Sequence, residues 1–257
     1  MIPMESLLAQ YPERLRGFKR LILSEYLQCL ILSYIFPLKR GLNLRFIGGT
    51  AVRLGWESER FSEDLDFDGK GVTKESFGGL GMELERKLKL EGYDVKVDMS
   101  FKTAYRCFLR FPGVYYRYGL SQHPDERLII QIDYEPQEYA YEPQEKILNR
   151  LGVFAPMLVP PLPTLLSMKI TALLGRKRAK GRDFYDVMFL AGFSKPDFKF
   201  LKAKADIKDM DELRAKLIAK AKNLDMKAIS RDVAPFLFSE RDINRVLKFG
   251  DFVAQWK

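Results

Sequence analysis

At 257 residues, 47% apolar and 30% charged, the chain carries enough apolar material for a core of its own and too much for disorder. No run approaches the ~18–20 apolar residues that cross a bilayer, and residues 1–20 mix Glu5 and Glu13 with four basic residues and show no secretory leader, so a cytoplasmic protein with no membrane partner is expected. Cys29, Cys107 and His123 are the only cysteines and histidine, which excludes a zinc cluster and leaves any Ser-His-Asp or Cys-His chemistry dependent on His123, a residue in the turn-like stretch 121–126.

In chain order, apolar residues from 7 to 36 recur at three- and four-residue steps (Leu15, Phe18, Leu21, Ile22, then Tyr26, Cys29 and Leu30 across the polar Glu25), which predicts one or two helices ended by Pro37. Residues 42–47 alternate as a strand, Gly48-Gly49 interrupts it, and 50–54 open a short helix. Residues 64–68 alternate strictly and predict a second strand. A helix over 74–91 then leads to strand-like runs at 93–99, 104–111, 114–118 and 128–134. Within 114–118, Tyr115, Tyr116, Arg117 and Tyr118 fit a half-exposed strand, or rings on which a base could stack. After Asn149, Pro156, Pro160, Pro161 and Pro163 mark a connector, and 164–175, 183–191, 209–223 and 240–256 read as helices with no strand among them. The expectation is α+β: a mixed unit over 1–155 and a helical unit over 156–257.

Charge divides along the same line. The first 150 residues hold 22 basic and 22 acidic side chains and the remainder hold 21 and 12, so the whole excess of +9 lies in the second part. It peaks at Arg176, Lys177, Arg178, Lys180 and Arg182, which suits a polyanion such as RNA, DNA or a nucleoside triphosphate, or else a solvated face.

Two segments carry chemistry. A strand turning through Gly48-Gly49 into a helix lets backbone N–H groups approach phosphate oxygens, although a tight turn alone would use the same residues. Downstream, strand periodicity sets Asp64, Asp66 and Asp68 on one face, with Leu65 and Phe67 on the other. Like charges so close repel unless cations lie between them, and paired carboxylates can hold two Mg²⁺ for phosphoryl transfer; an acidic edge strand is the plainer alternative.

The run Phe46-Ile47-Gly48-Gly49-Thr50-Ala51, followed by Arg60-Phe61-Ser62-Glu63-Asp64-Leu65-Asp66-Phe67, resembles the nucleotidyltransferases of the DNA polymerase β superfamily, and within them the AbiEii-type abortive-infection toxins. The resemblance implies a polymerase β-like mixed sheet with flanking helices, followed by a helical domain. It also implies a third carboxylate on a neighbouring strand, for which Asp133, closing the apolar run 128–132, is favoured over Asp98. Asp64, Asp66 and Asp133 would then hold two Mg²⁺, and Asp133 would accept the proton of the attacking hydroxyl. An NTP would be gripped by Gly48, Gly49, Thr50, Arg60, Ser62 and Lys169, the last being the sole charge in the apolar helix 164–175. A further family motif is matched by Arg182-Asp183-Phe184-Tyr185-Asp186, in which Asp183 or Asp186 matters for activity, although both could also cap and pair within their helix. The implied function is transfer of a nucleotide to a tRNA 3′ end by the toxin of a toxin–antitoxin system, with RNA and an antitoxin as partners. A small-molecule or protein acceptor, or a non-catalytic RNA- or partner-binding module on the same scaffold, are the alternatives.

Overall fold

The computed structural model describes residues 1–38 and 43–256, and the chain forms two compact units. The first comprises 1–55, 62–138 and 143–159; the second comprises 56–61, 139–142 and 160–257.

The first unit opens with the short helix α1 (Met4–Leu8) and the apolar helix α2 (Lys19–Ile35), whose Ile22, Leu23, Leu27 and Ile31 are buried. Strand β1 (Leu44–Ile47) runs into helix α3 (Gly48–Trp56); the predicted strand began at Leu42, which lies outside the described residues. Strand β2 (Leu65–Gly69) follows, then helix α4 (Lys74–Leu90), started by Thr73 and Ser76 in a reciprocal capping box, then β3 (Lys96–Phe101) and β4 (Tyr105–Pro112). Next come the single-turn helix α5 (Val114–Arg117) and strand β5 (Arg127–Tyr134). The five strands form one mixed sheet in the order β1-β2-β5-β4-β3, with β2 and β5 parallel and every other pair antiparallel.

Period-two alternation gives this sheet two unlike faces. Leu65, Phe67, Cys107, Leu109, Phe111, Ile130 and Ile132 are buried on one, which α2 and α4 cover. The other carries Asp66, Gln131, Asp133, Arg106 and Arg110 at half-burial or more exposed.

Two expectations are corrected here. Residues 114–118 are a helical turn, not a strand: Gly113 adopts φ 65° after Pro112 and reverses the chain, and Tyr118 and Tyr115 pack against the Tyr93 hydroxyl and the Arg20 guanidinium. The stretch read as the start of a connector is instead a hairpin: β6 (Gln144–Arg150) and β7 (Val153–Val159) pair antiparallel, with Pro156 inside β7. In a two-stranded ribbon each strand is an edge, so a proline can point its missing N–H away from the partner. Leu151 (φ 56°) and Gly152 (φ 76°) make the two-residue turn with positive φ at both positions that matches strand twist. The hairpin packs on α2 and β1 through Leu148, Ala155, Met157 and Val159.

Beneath it, Glu25 is 1% exposed. Its carboxylate accepts from Tyr11 Oη (2.6 Å), Arg150 Nε (2.6 Å) and Arg53 Nε (2.8 Å), tying α2 to α3, β6 and the N-terminal segment. Burial alone would raise the Glu25 pKa; the two guanidiniums and these bonds outweigh it and hold the group below the usual carboxylate range.

The second unit is helical: α6 (Leu162–Gly175), α7 (Gly181–Ala191), α8 (Phe198–Ala205), α9 (Met210–Lys222), α10 (Met226–Val233), α11 (Ile243–Leu247) and α12 (Phe249–Gln255). α7 lies at its centre, against α6, α10, α11 and α12, with Phe184, Val187 and Leu190 buried. Helices α8 and α10 were not expected from the sequence; each begins at an aspartate N-cap, Asp197 and Asp225, whose side chain accepts from two backbone N–H groups. Segment 56–61 joins this unit by strand-like bonds, Phe61 N to Phe236 O (2.8 Å) and Phe238 N to Glu59 O (3.0 Å).

Candidate active site

The carboxylates come together through strand register. Asp66 on β2 is the parallel neighbour of Asp133 on β5, and Asp133 is in turn the antiparallel neighbour of Arg106 on β4. Residues paired across strands about 4.8 Å apart point to the same face, so Asp66, Asp133 and Arg106 form one transverse row. Asp64 immediately precedes β2, half-buried, and its backbone carbonyl accepts from the Thr50 hydroxyl.

Gly48 explains why a glycine opens α3. It holds φ 80°, and a Cβ there would lie 1.9 Å from Asp66 Oδ2, so any side chain would displace the carboxylate. The backbone at the start of α3 therefore approaches Asp66 as no other residue would allow, and the N–H groups of a helix start favour an anion.

Asp133 is held by Gln131, whose amide donates to both carboxylate oxygens at 2.8 Å, while Arg106 Nε stands 3.7 Å away. Burial pushes its pKa up, and the Asp64 charge adds to that; Gln131 and Arg106 oppose it without cancelling it. Asp98, the competing candidate, lies on β3, exposed and paired with Arg110, with two strands between it and β2, which carries Asp66. Asp68 shares the acidic face but is 4% exposed and accepts from Gln137 N (2.7 Å), a structural bond that anchors the chain after β5.

Among the described residues no group of three or more carboxylate, histidine or cysteine side chains is spaced to hold a metal ion. The pair Asp66 and Asp133, with Asp64 beside it, nonetheless offers donors of the kind a hard divalent cation takes, all of them carboxylate oxygens.

In the second unit, Arg60, Asp186 and Lys169 make a buried charge cluster. Arg60 Nε and Nη2 each donate to Asp186 at 2.7 Å, Arg60 Nη1 donates to Phe61 O at 2.8 Å, and Lys169 Nζ lies 2.8 Å from Asp186 Oδ2. Arg60 is 1% exposed and Asp186 fully buried. Burial would raise the Asp186 pKa, but the adjacent guanidinium and ammonium hold it below the usual range. Arg60 thus spends its guanidinium on Asp186 and the chain itself, and Thr50, with no exposed surface, spends its hydroxyl on Asp64 O; neither presents that group for the nucleotide contact expected of it. Ser62 is also buried, its carbonyl accepting from Gln28.

Of the basic run, Arg176 pairs with the buried Asp183 at 2.8 Å, Lys177 and Arg178 are exposed, and Lys180 and Arg182 are half-buried. Other lysines of this unit cap helix ends: Lys216 donates to Ala205 O and Lys220 to Leu174 O and Arg176 O. Part of the positive excess is therefore structural. His123 is an exposed turn residue, and Cys29 and Cys107 are buried thiols whose pKa burial raises.

The family model for the nucleotidyl transferase AbiEii toxin of type IV toxin–antitoxin systems matches residues 32–248. The chain belongs to this family. It is accordingly a nucleotidyltransferase, of a group whose toxins imply an antitoxin partner. Two solved structures from Helicobacter pylori are similar in fold: JHP933, with 17% identity and a TM-score of 0.56 over 92% of this chain and 91% of that one, and a protein assigned as a nucleotidyltransferase, with 17% identity and a TM-score of 0.56 over 95% of each. No curated protein matches the chain. No helix among the described residues is long and apolar enough to cross a membrane.

Proposed function

We propose that the chain moves a nucleotide from an NTP to the 3′ hydroxyl of an RNA, a tRNA in the first instance, with the Asp64, Asp66 and Asp133 carboxylates holding divalent magnesium. The observation that carries this reading is the in-register pairing of Asp66 with Asp133 beside a glycine that only a missing side chain lets so close. A bound divalent cation would supply charge neutralisation on the triphosphate and activation of the acceptor oxygen. The protein's own groups then have separable tasks. The start of α3 at Gly48 and Gly49 offers backbone N–H donors to phosphate oxygens. Asp133 stands in register with Asp66, where it could take the acceptor's proton at a carboxylate oxygen, and Gln131 fixes its orientation.

Lys169 commits one ammonium hydrogen to Asp186 and keeps the others for phosphate, while Arg60 and Asp186 act as positioning residues behind it. The exposed Lys177 and Arg178 add a salt-sensitive attraction for RNA. The test is transfer of label from each of the four α-³²P NTPs onto total tRNA with and without Mg²⁺. Label on RNA that steepens in salt dependence supports an RNA acceptor; label transferred only to protein or a small molecule would move the acceptor elsewhere.

A further inference from the structure

The carboxylate row has two flanks. On the β1 side lie Gly48 and the start of α3, the position suited to the triphosphate. The β4 and β3 side has no phosphate-binding task in the function proposed above, yet it is not blank. The same face of the sheet continues there with Arg106, Phe108 and Arg110 on β4, Arg127, Ile129 and Gln131 on β5, and Lys96 on β3. Arg106 is the cation nearest the row: its side chain is 49% exposed, and its 3.7 Å approach to Asp133 is an ion pair without a hydrogen bond. Phe108 is half-exposed with the Arg110 guanidinium 5.7 Å from its ring centre, and Asp98 neutralises Arg110. Arg106 is thus the less committed of the two arginines.

We propose that this face binds the acceptor as a single strand of RNA, with Arg106 on a backbone phosphate and Phe108 under a base next to the 3′ end. The inference rests on the proposed reading of the in-register Asp66–Asp133 pair as the place where the acceptor's terminal hydroxyl reacts, with Arg106 the next residue of the same row. If the terminal hydroxyl sits at Asp133, the rest of the strand must leave over adjoining surface. The β1 flank suits the triphosphate, and the β4 flank offers an exposed guanidinium, held to Asp133 only by a 3.7 Å ion pair, and a ring at successive same-face positions about 6.6 Å apart, close to the spacing of nucleotides along a strand. Cation and aromatic in alternation are what a sequence-tolerant single-strand site requires.

Binding separates this proposal from the catalytic reading. The full chain is titrated against a short 5′-fluorescein-labelled single-stranded RNA with a free 3′ hydroxyl, in EDTA, by anisotropy. Arg106→Ala and Phe108→Ala are each expected to weaken binding by about tenfold, and Arg106→Ala to reduce the log–log salt slope by about 1. Arg106→Lys should restore most of the affinity, which a folding defect would not allow. In the transfer assay Arg106→Ala should raise KM for RNA and leave KM for NTP unchanged. Wild-type binding retained in both alanine variants, binding competed equally by polyaspartate, or a rise in KM for NTP alone would each overturn the assignment. RNA binding that depends on Arg106 in a chain that transfers nothing would leave the face standing and remove the catalytic reading.

Discussion

The Arg60–Asp186–Lys169 cluster makes the sharpest claim about how residues far apart in sequence form one element. In Asp186→Ala, two cations lose their shared anion in a site where Arg60 has 1% exposure, and both 2.7 Å charge-assisted bonds vanish. Such bonds contribute about 1.5–3 kcal/mol each when a charged group is involved, and removing one partner of a buried pair costs about 3–5 kcal/mol because the other charge stays buried. The two figures agree on a loss of about 3–5 kcal/mol. For a chain of this size 1 kcal/mol corresponds to about 2–4 °C, so Asp186→Ala should lower Tm by roughly 10 °C. Arg60→Lys keeps the charge but not the fork, and should lose about half as much. Differential scanning calorimetry reads both. Losses below about 1 kcal/mol in both variants would refute the reasoning, because they would mean that the cluster is solvated or replaceable.

Gly48→Ala should cost at least about 1–2 kcal/mol of stability from its left-handed backbone, with the clash against Asp66 added to it, while lowering transfer by about a hundredfold or more, since the new Cβ displaces Asp66; comparing Tm with transfer rate checks it. The folded-state pKa values of Glu25 and Asp186 lie below the usual range, so their contribution to stability is complete above the ordinary carboxylate pKa of about 4 and is lost as pH falls through the depressed folded values. Thermal unfolding followed from neutral pH into acid should show this decline, and Glu25→Gln, less stable at neutral pH, should show a shallower one. Gly152→Val, at φ 76° with open space around it, should lose about 1–2 kcal/mol by backbone strain alone, measurable as a fall in Tm of a few degrees.

The parts of the fold written in local pattern were legible. Alternation found β2 and β5, spacing found α4, α6 and α7, and Gly48-Gly49 with Asp64 and Asp66 pointed to the site segment. Pairing was not legible. The family resemblance pointed to Asp133 on a strand beside Asp66, but nothing in the order of residues says that the two sit directly opposite, or that Arg60 reaches Asp186 across 126 positions, because register and burial are set by the assembled sheet and helices. The same limit hid Arg106: it reads as one charge on an alternating strand until its neighbour is known. The β6–β7 hairpin was masked by Pro156, read as a breaker when an edge strand tolerates it; the buried alternation of Val153, Ala155, Met157 and Val159 was the signal that could have found it. At 114–118, Gly113 with its positive φ turned an aromatic run into a helical turn.

The most direct test of the central claim is pyrophosphate release from NTP with RNA and Mg²⁺, compared among the wild-type chain, Asp66→Asn and Asp133→Asn, each shown to be folded by circular dichroism. The account predicts release by the wild type and a loss of at least about a hundredfold in both variants with little change in Tm. Folded variants that release pyrophosphate at the wild-type rate would contradict it.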